Sequence, residues 1–228
     1  MVQNISHAVM AQRKKTIDDI DDFPTPPWAT RALIKFVLND YNISNQNCLE
    51  PACNVGHMSK VLKESFKEVH SSDLVDYGYG KVQDFLNLKK TSINYDWIIT
   101  NPPFKIAKEF VLKALDLSSF GVAMLARTVF LESVGRYNDL FKQKPPNFFA
   151  QFVERVPMVK GRLDKNASTA TGYAWFVWIK GNNDEPKLVW LPPSRKELEF
   201  ENDYETPINK KNVNNITFKP KQGKLPLE

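Results

Sequence analysis

Tyr95-Asp96-Trp97-Ile98-Ile99-Thr100-Asn101-Pro102-Pro103-Phe104 decides how the rest of the chain is read. An almost unbroken apolar run from Tyr95 to Thr100 is what a fully buried strand of a parallel sheet requires, because both of its faces must be covered. The run stops at Asn-Pro and Pro-Pro, pairs that form turns rather than continue a strand. A buried strand therefore ends abruptly in a rigid loop that presents one amide side chain and one aromatic ring.

Working outward, the flanking sequence alternates strands and helices. Upstream, Asn47 to Ala52 reads as a first strand, Val69 to Asp73 as a second and Lys81 to Phe85 as a short third. Met58, Val61, Leu62 and Phe66 line one face of a helix between the first two. A further helix begins near Trp28, with Leu33, Ile34, Val37 and Leu38 on its buried side and Pro27 in its first turn. Downstream, Phe110, Val111, Ala114 and Leu115 mark a helix, Gly121 to Arg127 a fifth strand and Leu131 to Phe141 another helix. Phe148 to Val156 and Tyr173 to Lys180 follow with no long helix between them, so they are expected to pair antiparallel. The pattern predicts an α/β fold: an open, mostly parallel sheet with an antiparallel last strand and helices on both faces.

Composition sets the frame. Of 228 residues, 42% are hydrophobic and 25% charged, ordinary values for a chain with one sizeable core. Three regions are expected: a flexible arm over residues 1–22, the folded domain over 23–191, and a basic, poorly ordered tail over 192–228. The net charge is +5 and the pI about 9.0. Residues 206–228 hold five lysines and one acid, which leaves 26 basic and 25 acidic residues for the other 205 positions. Such a tail suits a polyanion partner, and equally a solvated end. Two cysteines, Cys48 and Cys53, are too few for a disulfide framework, and no set of His and Cys has zinc spacing. No metal is expected. No apolar run is long enough to span a bilayer, so no membrane association is expected and a cytoplasmic setting is the default.

Three features at strand ends carry chemistry. Glu50-Pro51-Ala52-Cys53-Asn54-Val55-Gly56 closes the first strand and opens a helix, a turn whose backbone N–H groups can approach a ligand. Asp73 ends the second strand, where an acid can bond ribose hydroxyls, and Asp84-Phe85 ends the third, where a carboxylate and a ring suit adenine. The Asn101 loop completes the set. An amine conjugated to an aromatic ring is a poor nucleophile because its lone pair is delocalised. The Asn101 side-chain oxygen and the Pro102 carbonyl can each accept one N–H of such an amine, freeing the lone pair. Pro102 and Pro103 fix the loop, since their φ angles are locked, and Phe104 can stack on a planar substrate.

Asn-Pro-Pro-Phe after the fourth strand resembles the signature of amino-methyltransferases that use S-adenosylmethionine. From about Phe23 to Lys180 the chain is similar to the adenine-N6 DNA methyltransferases, particularly small phage or prophage types with gamma-like motif order. The resemblance implies a Rossmann-like class I methyltransferase sheet. It implies methyl transfer to adenine N6 in DNA by in-line displacement with base flipping, giving S-adenosylhomocysteine. The implied catalytic residues are Asn101, Pro102, Pro103 and Phe104. The implied cofactor residues are Thr25, Pro26, Glu50, Pro51, Ala52, Asn54, Gly56, Asp73, Asp84, Phe85 and Asn101. Asn54 stands where that family usually has glycine, and asparagine tolerates the left-handed backbone such a turn needs.

Residues Asp139 to Lys165 hold six basic and three acidic side chains. Lys160, Arg162 and Lys165 are the expected phosphate contacts, and Thr169 and Thr171 the expected shapers of a base pocket. The expected partner is DNA, with RNA also compatible, and the chain as a monomer or homodimer. The setting implied is a bacterial or phage-infected cell, including restriction-modification. Other readings of the same residues are an RNA adenine or protein glutamine methyltransferase, or a non-catalytic nucleic-acid-binding protein of methyltransferase descent.

Overall fold

The computed structural model describes residues 21–90 and 95–204. The arm expected over residues 1–22 lies outside this range except for Asp21 and Asp22, as does the tail from residue 205 onward.

Eight strands form one sheet in the order β3-β2-β1-β4-β5-β7-β6-β8. They are β1 (Asn47–Glu50), β2 (Glu68–Asp73), β3 (Lys81–Val82), β4 (Tyr95–Thr100), β5 (Ser118–Arg127), β6 (Phe148–Phe152), β7 (Tyr173–Ile179) and β8 (Lys187–Leu191). Strands β1 to β5 pair in parallel, and β7 alone runs against both of its neighbours. The fold is therefore the expected Rossmann-like sheet, with one change. The antiparallel strand is not the last: β8 returns alongside β6, parallel to it, and makes the edge of the sheet.

Side-chain alternation along β4 builds two cores. Trp97 and Ile99 face one side, where α1 (Pro27–Phe36) and α2 (His57–Leu62) cover them with Trp28, Leu33 and Leu62. Ile98 faces the other side, where α3 (Ala107–Leu117) contributes Phe110, Val111 and Ala114. Pro27 occupies the first turn of α1, where no N–H is required of it. The Trp175 indole N–H donates to the Ala29 carbonyl at 2.9 Å, fixing α1 to the centre of the sheet.

Two segments depart from the sequence pattern. The helix expected over Leu131 to Phe141 is broken into a 3-10 turn (Thr128–Leu131), a single turn α4 (Val134–Arg136) and a π turn (Tyr137–Phe141). Ser133 resets the chain by accepting the Arg136 N–H at 3.3 Å, and the Arg136 guanidinium donates to the carbonyls of Val129, Phe130 and Glu132. A side chain thus satisfies carbonyls that a continuous helix would have satisfied itself. The core also continues past Pro192. Leu198 of α5 (Arg195–Leu198) is buried, and Arg31 of α1 donates to the Leu198 carbonyl and to Asp203, both at 2.8 Å. Residues 192–204 pack on α1, whereas the sequence pattern places them in the tail. Among the described residues, no helix is long and apolar enough to cross a membrane.

Candidate active site

The chain steps outward from β1 to β2 and β3, then returns to lay β4 on the opposite side of β1. That reversal leaves a crevice at the carboxyl ends of β1 and β4, where open α/β sheets bind ligands. A cavity of about 310 Å³ occupies it, and Thr25, Glu50, Ala52, Asn54, Asp73, Asn101 and Pro103 all line its wall. Cys53, His57, Met58, Leu74, Val75 and Tyr77 are among its other lining residues.

The turn after β1 has the backbone its sequence suggests. Asn54 is the only described non-glycine residue in the left-handed region, with φ 49°. Its N–H donates to Asp73 Oδ2 at 2.9 Å, and its own Oδ1 accepts the Val55 N–H at 2.7 Å. Gly56 precedes α2 with φ 87°, and a Cβ there would lie 2.4 Å from the Tyr79 ring, so any other residue would strain the backbone and displace that ring. Asp73 also accepts from the Val75 N–H at 3.1 Å. Burial nevertheless raises its pKa.

Glu50 is buried at the end of β1. Its carboxylate accepts from the Ser59 hydroxyl, which itself lies 2.6 Å from the Ser71 hydroxyl. Burial, reinforced by the charge of Asp73, pushes its pKa up to about 8. A carboxyl held largely neutral among apolar walls is suited to a cationic ligand group, which would restore its charge.

Asn101 is held by one end only. Its Nδ2 donates to the Phe23 carbonyl at 2.9 Å, while its Oδ1 is buried and has no hydrogen-bond partner. A carbonyl only accepts, so this contact identifies the amide nitrogen and assigns the free end to the oxygen. An unpaired buried acceptor is costly, and the residue that carries it lines the crevice.

Phe104 lies beside the crevice rather than in its wall. Its ring centroid is 5.4 Å from Phe23 and 6.4 Å from Tyr173, and the Arg127 guanidinium sits 4.1 Å above it. Its N–H donates to Asp21 Oδ2 at 3.0 Å. Pro102, within the loop, is buried. Arg127 and Tyr173 line a second, wider groove of about 810 Å³, which Thr171 also borders. The Asn-Pro-Pro-Phe loop thus stands between a crevice and a groove.

Other expected positions are arranged differently. Phe85 is buried against Phe110, 4.9 Å between centroids, and Asp84 accepts from the Leu86 N–H and the Asn87 amide. Neither lines the crevice, nor do Pro26, Pro51 and Gly56, whose places are in the backbone that shapes it. Arg162 is paired with Asp164 at 3.1 Å, and the Lys165 carbonyl accepts from Arg195. Lys160, Arg162 and Lys165 share the loop between β6 and β7. In the same loop Thr169 Oγ1 accepts the Thr171 N–H at 3.1 Å.

Four residues near the site escape a reading of the sequence. Asp21 and Asp22 belong to an acidic run that reads as solvated, yet Asp22 Oδ1 accepts from Asn54 Nδ2 at 2.6 Å. The Asp22 carbonyl also accepts the Gly161 N–H at 2.8 Å, joining the loop between β6 and β7 to the entrance. His57 reads as a packing or surface residue and stands in the crevice wall. Arg127 ends a strand with no motif around it. Only tertiary proximity reveals these four.

No protein-family profile and no curated protein matches the sequence. Among solved structures, a chain assigned as a modification subunit of a type I restriction enzyme from Vibrio vulnificus YJ016 superposes with a TM-score of 0.56 at 14% identity. The match covers 83% of this chain and 52% of that one, so the protein spans about half of its neighbour's length. A chain assigned as an RNA methyltransferase from Pyrococcus horikoshii gives 0.53 at 15% identity, covering 76% and 94%. One assigned as a hemolysin from Lactococcus lactis gives 0.50 at 10% identity, covering 72% and 91%. At such identities the likeness establishes the fold, a Rossmann-like methyltransferase fold, and the chemistry must be argued from the site.

Proposed function

We propose that the protein is an S-adenosylmethionine-dependent methyltransferase acting on the N6 amine of adenine in DNA. One observation carries this reading: the buried Asn101 oxygen, left without a partner by an amide whose nitrogen is already held, belongs to a residue that lines the crevice at the switch point of the sheet. A ligand N–H directed at it would relieve the unpaired acceptor.

The donor set of the crevice fits the cofactor. Glu50 offers a buried carboxyl to a cationic group, Asp73 a carboxylate with lone pairs to spare for hydroxyls, and Leu74, Val75 and Tyr77 an apolar wall for a ring. S-adenosylmethionine supplies, when bound, an electrophilic methyl on a sulfonium. The protein's own residues do the rest. Asn101 Oδ1 and the Pro102 carbonyl accept the two N–H bonds of the target amine, turning its lone pair out of conjugation. The locked prolines hold both acceptors still, so little reorganisation is needed at the moment of transfer. Phe104 offers a face to the base once the Arg127 guanidinium gives way. The base must leave its duplex stack, a cost of roughly a few kcal/mol that aromatic stacking offsets in part.

The test is to offer radiolabelled cofactor with duplex DNA, single-stranded DNA, RNA and total protein. Label in DNA is expected. Label in protein or RNA alone would move the activity to another acceptor, and label nowhere would favour a binding-only role. Asn101→Ala is expected to lower kcat roughly 100-fold or more, comparable to losing one transition-state hydrogen bond in other enzymes. Its cofactor affinity by calorimetry should stay within a few-fold, since Glu50 and Asp73 remain.

A further inference from the structure

The groove beyond the catalytic loop has a wall that the mechanism above does not use. We infer that Trp190, on the edge strand β8, is a stacking platform for a nucleobase flanking the target, and so a determinant of sequence preference. The inference rests on the DNA reading of the site.

All five tryptophans of the chain lie in described residues, and four of them are between 0% and 3% exposed. Trp190 is 62% exposed. A lone uncovered indole is unusual in a chain that buries every other one, and it projects into the groove that Arg127 and Tyr173 border on the catalytic side. Strand direction brings it there. Because β8 runs parallel to β6, and β6 runs against β7 as β5 does, Trp190 sits near a carboxyl end on the same side as Asn101.

Register relates them across the sheet. Trp190 pairs with Gln151, Gln151 with Ala174, and Ala174 with Ala126, so one row crosses four strands. Trp190 and Gln151 line the groove, while Ala174 and Ala126 are buried in the core. By strand spacing the row runs roughly 14 Å from Trp190 to Ala126, the span of a few nucleotides.

Charge favours a polyanion. Arg127 and Arg155 face the groove, and its one acid, Glu154, already accepts the N–H groups of Ser194 and Arg195 at 2.6 and 2.9 Å. A surface with two guanidinium groups, a carboxylate engaged by backbone N–H groups and an open indole matches the backbone-plus-stacking pattern by which single strands are held.

Trp190 reports on itself, because it is the indole that solvent reaches. Titrating the full chain with a short single-stranded oligodeoxynucleotide bearing a central adenine should quench its emission and shield it from iodide. Trp190→Ala should raise both the Kd for that strand and the KM for DNA roughly tenfold, the loss expected for one base–aromatic stack. In the same variant kcat and cofactor affinity should change less than about twofold, since the residue lies outside the crevice, and Trp190→Phe should restore most of the binding. Mapping the methylated adenines should show weaker discrimination at a neighbouring base.

Unchanged binding and site preference in Trp190→Ala, beside a wild type that methylates DNA, would overturn this inference and leave the proposed activity standing. A wild type that modifies no nucleic acid would overturn both. Shielding of Trp190 from iodide before any strand is added, in a chain that sediments as a dimer, would make this face an interface between copies and overturn the inference as well.

Discussion

Asn101 and Glu50 present the crevice with opposite needs, one an oxygen wanting a proton donor and the other a carboxyl wanting a positive charge. Sequence alone pointed to both, since each ends a strand beside a turn, but it did not show how either is held. The Phe23 carbonyl that anchors the Asn101 amide, and the Ser59 hydroxyl under Glu50, come from segments distant in the chain. Glu50 makes a pH prediction possible. Its pKa of about 8 in the folded protein lies above the ordinary 4.5, so the folded state holds a proton that the unfolded chain releases. Its contribution to stability is therefore complete below pH 4.5 and is lost as pH rises through about 8. Glu50→Gln should flatten the pH dependence of the melting temperature across that window. A cationic ligand has the opposite preference and favours the carboxylate. Cofactor affinity in the wild type is expected to rise by up to about tenfold per pH unit as pH approaches 8, and Glu50→Gln should abolish that slope. Calorimetry in buffers of different ionisation enthalpy would check it through the proton released on binding.

At the scale of elements, the turn from β1 to α2 shows how much of the site a sequence can carry. A left-handed residue ahead of a glycine was legible, because asparagine is among the few side chains that accept it. Replacing Asn54 by alanine should cost roughly 1–2 kcal/mol in urea unfolding, the penalty of a Cβ in that conformation without a compensating side-chain bond. Asn54→Gly should cost much less, because glycine adopts that conformation freely, and equal losses in the two variants would show that the contact to Asp22 matters more than the backbone. Other elements were less legible for identifiable reasons. The strand β8 is five residues long and lies between Pro186 and Pro192, so it reads as part of a proline-rich exit. The segment Leu131 to Phe141 has a helical apolar spacing, yet Ser133 and the Arg136 guanidinium divide it into three short turns. Asp84-Phe85 was placed by analogy of position. The side chains turn to the α3 core and to local N–H groups instead.

For the whole molecule, charge is the property that composition reports most directly. The loop between β6 and β7 carries Lys160, Arg162 and Lys165, none of which lines the crevice or the groove, and Arg162 is already engaged with Asp164. If the DNA reading holds, binding weakens with salt in proportion to the phosphates contacted, about 0.9 in log–log slope for each. The triple variant Lys160→Ala, Arg162→Ala, Lys165→Ala should reduce that slope by up to about 3 without changing cofactor affinity. An unaltered slope would place the phosphate contacts elsewhere, with the lysines after residue 206 the next to test.

The tie between Asp21, Asp22 and the Asn-Pro-Pro-Phe loop has a practical side. Because the Phe104 N–H, the Asn54 amide and the Gly161 N–H all hold this dipeptide, it is fixed beside the crevice that Asp21 lines. A reporter domain spliced directly ahead of Asp21 would stand in the path of incoming ligand, so fusions for immobilisation or imaging are best not built at that junction.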